Sequence, residues 1–300
     1  MKTISIEDIY ALKISNEDIF NWVKKAFLSK TESMLPPKIS QVFNESKNFY
    51  NTMPAIVPEI NAAGVKIVSR YVGRHPAIMG EILLYDFKSG ELLALMDATW
   101  ITAKRTGAVA ALAVETFAKK DFNSIGIIGL GQAGLSFLDM FLINQQNKDK
   151  KFKLKYYKDQ AYVAKEYLTK KGVKNIEICN TNKDLIRDTD VIISAITVAE
   201  EQLGKDEWFK KGCLVVPIHT KGFQNCDLFF DKVFADDKAH VEDFKYFNQF
   251  KSFEEISPVL LGKAKGREND QERILSYNIG IALHDVYCAK MIFEKSANFN

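Results

Sequence analysis

A chain of 300 residues can bury one large core or two of ordinary size, which excludes a peptide module and a disulfide-stapled miniprotein. Hydrophobic residues at 47% and charged residues at 26% fit a folded globular chain and exclude a disordered or fibrous one. The charge balance of 41 − 38 = +3 is too small over this length to build a polyanion-binding surface, so nucleic acid is not an expected partner.

At the amino end, Glu7 and Asp8 stand where an export signal needs unbroken apolar residues, so a cytoplasmic location is expected. From Ile6 to Lys30 the residues Ile9, Ile14, Ile19, Val23 and Phe27 recur at mostly helical spacing. Two short helices are predicted there, with Asp8 and Asn16 available to start them. Between Gly64 and Leu95 the texture turns β-branched and aromatic, and Val65–Val68, Glu81–Asp86 and Leu92–Met96 read as an antiparallel sheet. The Ala-rich run Thr102–Lys119 predicts a tightly packed helix.

After Asp121, strands at 124–128, 154–157, 176–179, 191–194 and 213–218 alternate with helices at 134–145 and 161–171. That alternation predicts a parallel sheet covered on both faces. Ser124 to Ile143 has Asp139 as its only charge, but Gly126, Gly129, Gly131 and Gly134 make it a poor spanning helix, so no membrane association is expected. A closing helix is predicted over 275–294 and is expected to cross between domains. Cys179, Cys213, Cys226 and Cys288 form no C-x-x-C pair and read as reduced structural thiols. His75, His240 and His284 show no metal-ligand spacing with one another or with a cysteine, so no metal is expected.

The sharpest local signal is Gly129-Leu-Gly131-Gln132-Ala133-Gly134, after a predicted strand and opening a predicted helix. A turn free of side chains lets a pyrophosphate approach peptide N–H groups at a helix start, so this loop is expected to bind NAD or NADP. The acidic residue expected near the ribose is Asp159, 159 − 131 = 28 positions on. Lys158 beside it leaves NAD versus NADP open, and both charges also read as solvated loop residues.

Upstream, Lys66 interrupts the apolar run Val65-Lys66-Ile67-Val68. A strand lysine there either faces a carboxylate or a cleft, or is the outward member of an amphipathic strand. Arg105, with Thr106 beside it, begins a small-residue helix where a guanidinium can grip a carboxylate in two parallel hydrogen bonds, although a solvated helix-end arginine reads the same way.

Together these residues resemble the ornithine cyclodeaminase and mu-crystallin family. The resemblance rests on Asp97–Ala110 with Arg105-Thr106-Gly107-Ala108, on Ile127-Ile128-Gly129-Leu130-Gly131, on Gly266-Arg267 to Ser276 with Gly280 and Asp285, and on Met53-Pro54 ahead of Lys66. It implies an α/β protein with a Rossmann dinucleotide-binding domain over 113–276, inserted into an α+β substrate-binding and dimerisation domain made of 1–112 and a final helix over 277–300. It further implies a homodimer and an NAD(P)-dependent enzyme acting at the Cα–N bond of a small amino or imino acid. By the same resemblance, Lys66 and Arg105 sit at the substrate carboxylate and act in catalysis. Lys38 falls where many members have another carboxylate-binding arginine, Met53 joins the substrate-binding set, and Thr197 and Thr106 join the cofactor-binding set with Gly129, Gly131, Gln132, Ala133, Gly134 and Asp159.

Many members carry an acidic residue in a loop after the late parallel strand, but here the sequence reads Pro217-Ile-His219-Thr-Lys221-Gly222-Phe-Gln-Asn-Cys-Asp227. Lys221 falls near the acidic position and is expected beside substrate, while Asp227 would serve only if the register slips. His219, an imidazole at the end of a parallel strand, reads as a proton shuttle or as a hydrogen-bonded structural residue. The resemblance places ornithine cyclodeamination first as the activity. An alanine dehydrogenase or ketimine reductase, which needs no partner for a second amine, is the alternative, and a non-catalytic NAD(P)-binding relative is a third reading.

Overall fold

The computed structural model describes residues 1–45, 47–197, 199, 201–219 and 221–297. The chain forms two compact units, Met1–Arg105 with Gly280–Asn300, and Thr106–Ile279. Their boundaries therefore fall at 105/106 and 279/280 rather than at the expected 112/113 and 276/277.

The first unit opens with β1 (Lys2–Ile4), α1 (Ile6–Ala11) and α2 (Asn16–Leu28). The two helices start on Ser5 and Ser15, not on Asp8 and Asn16. In each, the serine hydroxyl accepts from the backbone three residues on while an aspartate there, Asp8 or Asp18, accepts from the serine N–H. Reciprocal capping of this kind satisfies two groups that a lone cap leaves open. Next come β2 (Ile39–Phe43), β3 (Asn48–Val57), β4 (Ala62–Arg70), β5 (Ile78–Asp86), β6 (Leu92–Asp97) and α3 (Thr99–Phe117). The strands make one six-stranded sheet in the order β1-β6-β5-β4-β3-β2, antiparallel except where β1 runs beside β6. β2 and β3 escape a sequence reading because Asn48, Asn51, Thr52 and Pro54 dilute the alternation of β3, and because every residue of β2 is exposed.

The pleat puts alternate residues of β4 on one face, and the register aligns Met53, Lys66, Ile82 and Met96 in one row across four strands. All four side chains are buried, so a lysine lies inside an otherwise apolar row.

The second unit continues through β7 (Ser124–Ile128), α4 (Gln132–Phe141), β8 (Lys151–Lys155), α5 (Gln160–Lys170), β9 (Ile176–Cys179), α6 (Asn182–Ile186), β10 (Val191–Ser194), β11 (Leu214–Pro217), β12 (Lys232–Ala235), β13 (Phe253–Glu255), α7 (Ile256–Leu260) and β14 (Ile274–Tyr277). Its eight strands, in the order β13-β12-β14-β11-β10-β7-β8-β9, pair in parallel throughout. The chain travels outward from β7 to β9, then returns and travels the other way from β10, which makes the β7/β10 junction the point where strand order reverses. This is the Rossmann arrangement, and in such sheets ligands bind outside the carboxyl ends of the strands at that junction.

The predicted closing helix is corrected at its start. Ile274–Tyr277 is a buried strand between β11 and β12, and α8 (Ala282–Ala297) begins only after Gly280, whose φ of +96° breaks the chain direction. A short apolar run has no periodicity to separate strand from helix, which is why the two merge in the sequence. Nor does α8 cross between domains: it belongs to the first unit, against α2, β3, β4 and β5.

At the opposite ends of the Rossmann strands Asp190 acts as a hub. Its carboxylate accepts from the backbone of Asn123 at 2.9 Å and the hydroxyl of Ser124 at 2.9 Å, and pairs with Lys119 at 2.9 Å and Lys210 at 2.8 Å. Burial pushes its pKa up, but the lysines and backbone donors outweigh burial and hold it well below the usual carboxylate range. Asp190→Ala is expected to destabilise the protein by about 3 kcal/mol at pH 7, because buried donors lose their acceptor. A depressed carboxylate stabilises above its unfolded pKa, so in urea unfolding the gap to wild type should close as pH falls below about 4. Arg267 serves a similar structural end, donating to the carbonyls of Phe117 at 2.7 Å and Glu272 at 2.6 Å. Among the described residues no helix is long and apolar enough to cross a membrane.

Candidate active site

In the first unit three charged side chains converge. Lys66 comes from β4, Arg105 from α3 and Asp285 from the first turn of α8. Lys66 Nζ lies 2.8 Å from one carboxylate oxygen of Asp285 and Arg105 Nε lies 3.0 Å from the other. Lys66 and Asp285 are wholly inaccessible to solvent and Arg105 is 5% exposed. Two cations thus share one buried anion. Burial, then the charge of Arg105, push the Lys66 ammonium down to about 7, against the pull of Asp285, and Lys38 adds to the depression. Asp285 is driven up by burial, but Arg105 and Lys66 outweigh it and hold the carboxyl below its ordinary value.

Lys38, half-buried just ahead of β2, is therefore in electrostatic reach of Lys66, and Met53 is the cross-strand neighbour of Lys66. The structure brings together Lys38, Met53, Lys66 and Arg105 as a group. Asp285 is the residue that sequence reasoning left without a role. Its signal was present, since it is the one acidic residue between Gly280 and Phe293 in an apolar helix. Gly280 has a packing reason as well as a backbone one: a Cβ built there would stand 2.7 Å from Arg105 Nη1.

In the second unit the loop after β7 has three glycines, each for its own reason. Gly129 adopts φ +88°, and a Cβ on it would lie 2.6 Å from the backbone of Ala195, where the β7 and β10 loops touch. A Cβ on Gly134 would lie 2.2 Å from the Gly129 carbonyl oxygen. Around Gly131 nothing lies within 4 Å of that position, so open space stands directly over the start of α4. Gly131 is the N-cap and supplies no side-chain cap, so the first-turn amides of Gln132, Ala133 and Gly134 lack an intrahelical acceptor. That cradle fits a diphosphate. The helix starts at Gln132, earlier than the predicted 134, which is what aims those amides at the loop. Thr106 is half-buried in α3, Thr197 is exposed after β10, and Asp159 is exposed ahead of α5 with no side-chain capping bond.

His219, following β11, shares a hydrogen bond of 2.6 Å between Nε2 and Ser194 Oγ. Burial pushes its pKa down to about 4 against the opposing effect of a backbone hydrogen bond with Lys221. The ring is neutral at pH 7. Lys221 is exposed. Asp227 is 1% exposed and accepts a short hydrogen bond from the Tyr277 hydroxyl, and burial pushes its carboxyl up to about 6. It is committed to the core rather than to the loop surface. The four cysteines are free and buried, and among the described residues no three His, Cys, Asp or Glu side chains cluster in a way that could hold a metal ion.

The chain is similar to nodulation efficiency protein NfeD of Rhizobium meliloti, 27% identical over 86% of this chain and 83% of that one. It is 25% identical to a Δ1-pyrroline-2-carboxylate reductase of Bacillus thuringiensis subsp. konkukian, over 89% of this chain and 88% of the relative. Among solved structures, Δ1-pyrroline-2-carboxylate reductase of Thermococcus litoralis, in complex with NADH and L-proline, superposes with a TM-score of 0.85 at 25% identity, covering 100% of this chain and 98% of that one. The family match itself covers residues 3–299. The chain belongs to the ornithine cyclodeaminase/mu-crystallin family.

Proposed function

We propose that the chain is an NAD(P)-dependent oxidoreductase that reduces the C=N bond of a small cyclic α-imino acid of the pyrroline-2-carboxylate kind. The observation that carries this reading is the buried Lys66–Asp285–Arg105 cluster. With Lys66 protonated it has one positive charge in excess. Arg105 is held by Asp285 through Nε, and its guanidinium is the group assigned to grip the substrate carboxylate. The first-turn amides of α4 hold the cofactor diphosphate. When bound, the nicotinamide supplies the hydride.

Lys66 Nζ holds the proton for the imine nitrogen. Its pKa of about 7 suits a general acid at neutral pH, where it is partly charged and gives up its proton readily. Asp285 keeps that proton on Nζ, and burial among Met53, Ile82 and Met96 excludes water. His219, neutral above about 4 and held by Ser194, is assigned as a positioning residue rather than a proton shuttle.

Reduction is preferred over ornithine cyclodeamination because a second ammonium needs a carboxylate of its own. Asp285 is already shared by two cations, and Asp227 is turned to Tyr277. The relatives named as pyrroline-2-carboxylate reductases point the same way. A homodimer is part of this reading, built on the exposed edge strand β2, where Ile39, Val42 and Phe43 present apolar surface that a second copy would cover.

The test is oxidation of NADH or NADPH, followed at the reduced nicotinamide band, with Δ1-pyrroline-2-carboxylate as substrate. Turnover is expected with the imine, and no ammonia is expected from L-ornithine; ammonia released without net cofactor change would make the enzyme a cyclodeaminase. Since the acid form is required, kcat/KM for reduction should fall as pH rises through about 7. Lys66→Met should remove that limb and lower kcat/KM by at least about 100-fold.

A further inference from the structure

The residues that follow β8 stand where the ribose 2′ substituent of a dinucleotide is recognised in a sheet of this kind. In a sheet of this order the carboxyl end of the second strand lies beside the adenosine ribose. A carboxylate at that place accepts from both ribose hydroxyls and repels a 2′-phosphate, whereas a cation there attracts one.

β8 ends at Lys155, and the next three residues are Tyr156, Tyr157 and Lys158, all exposed. Residues 155–158 include no carboxylate. Asp159 comes only after the backbone has turned through Lys158 at φ +49°, and it then takes helical angles (φ −80°, ψ −8°) as the residue that leads into α5. A lysine in the left-handed region costs about 1 kcal/mol, so the turn is one the surrounding structure holds in place. Lys155 Nζ donates to the Tyr156 carbonyl at 2.9 Å, keeping a second positive charge against the strand end. Lys158 Nζ lies 5.4 Å from the Tyr157 ring centroid, where the ring face steadies the ammonium without neutralising it. The rings of Tyr156 and Tyr162 meet edge to face at 6.1 Å, giving exposed aromatic surface that a purine can lie against.

We propose that the turn Tyr156-Tyr157-Lys158 seats a 2′-phosphorylated adenosine and makes the chain select NADP(H) over NAD(H), with Lys158 as the chief cation. The proposal rests on the reading of the second unit as a nicotinamide dinucleotide site. It places the discriminating charge on residues that follow the second strand and removes Asp159 from the ribose role expected of it.

Calorimetric titration of the full chain with NADPH, NADH, 2′,5′-ADP and 5′-AMP tests this without turnover. NADPH is expected to bind at least about tenfold tighter than NADH, and 2′,5′-ADP at least about tenfold tighter than 5′-AMP, as a charge-assisted phosphate contact requires. Both ratios should narrow as salt rises, because the contact is solvent-exposed. Lys158→Glu should bring the NADPH/NADH ratio to about one or below, and Lys158→Ala should reduce it severalfold. The exposed position of Lys158 lets both variants fold. Equal affinities, a preference for NADH, or an unchanged ratio in Lys158→Glu would overturn the proposal and leave dinucleotide binding standing. Absence of heat with all four ligands would overturn both.

Discussion

Asp285→Ala is expected to destabilise the first unit by about 3–5 kcal/mol, the cost of leaving two buried cations without their shared anion. The reason lies in the asymmetry of the cluster. Lys66 and Arg105 repel each other, and the carboxylate between them, at 2.8 Å from one and 3.0 Å from the other, offsets that repulsion away from water. The same change should move activity in a way a purely structural residue would not. Asp285 is the group that raises the Lys66 pKa, so without it the ammonium titrates below about 7 and the alkaline limb of kcat/KM shifts to lower pH. The sign for stability follows from the two shifts. Lys66 has a folded pKa below its unfolded value, so it opposes folding at low pH, and stability recovers as pH rises from about 7 toward 10. Asp285 has a depressed pKa, so it stabilises above about 4 and that contribution is lost as pH falls further. Urea unfolding at pH 5, 7 and 9 measures the first effect and pH–rate profiles measure the second; a loss under about 1 kcal/mol at pH 7 would mean the three groups are not coupled.

Gly131→Ala and Gly134→Ala are expected to fail in opposite ways although both stand in one short loop. A methyl on Gly131 meets nothing within 4 Å, so the fold should lose about 1 kcal/mol or less. Yet that methyl occupies the space where the diphosphate would approach the first-turn amides of α4, so dinucleotide affinity should fall by at least about 100-fold. A methyl on Gly134 would press 2.2 Å from the Gly129 carbonyl oxygen, a clash with rigid backbone rather than with a side chain that can swing away. Its cost should appear first as lost stability, of about 1–3 kcal/mol, and as lost binding only in consequence. Thermal unfolding with and without NADH or NADPH separates the two cases. Unaltered affinity in Gly131→Ala would remove the diphosphate from this loop.

The glycine loop and the alternation of strands and helices from β7 onward were legible because both are local. Gly129, Gly131 and Gly134 fall within one turn, and buried parallel strands such as Val191–Ser194 show as unbroken apolar runs in the residues themselves. Lys66 is legible for the same reason, as a charge among Val65, Ile67 and Val68. What the lysine meets was not legible. Its partner lies 285 − 66 = 219 positions away on a helix whose start was itself misplaced, and no spacing rule connects them. Ser15 and Asp18 show the opposite lesson, since a capping box is readable from four residues and sets the helix start one position ahead of Asn16.

His219 and Asp227 divide along the same line. Chain position suggested an imidazole and a carboxylate near the ends of parallel strands. Only folding set the ring against Ser194 and drove its pKa down to about 4, and only folding buried the acid against Tyr277. The residues alone determined the architecture of the second unit, its dinucleotide loop and the presence of an out-of-place lysine, because backbone preference and hydrophobic periodicity act over a few neighbours. The tertiary structure alone decided which charges are paired, which are neutral and which sit in reach of one another, because pKa and ion pairing depend on burial and on separations in space that chain order does not contain.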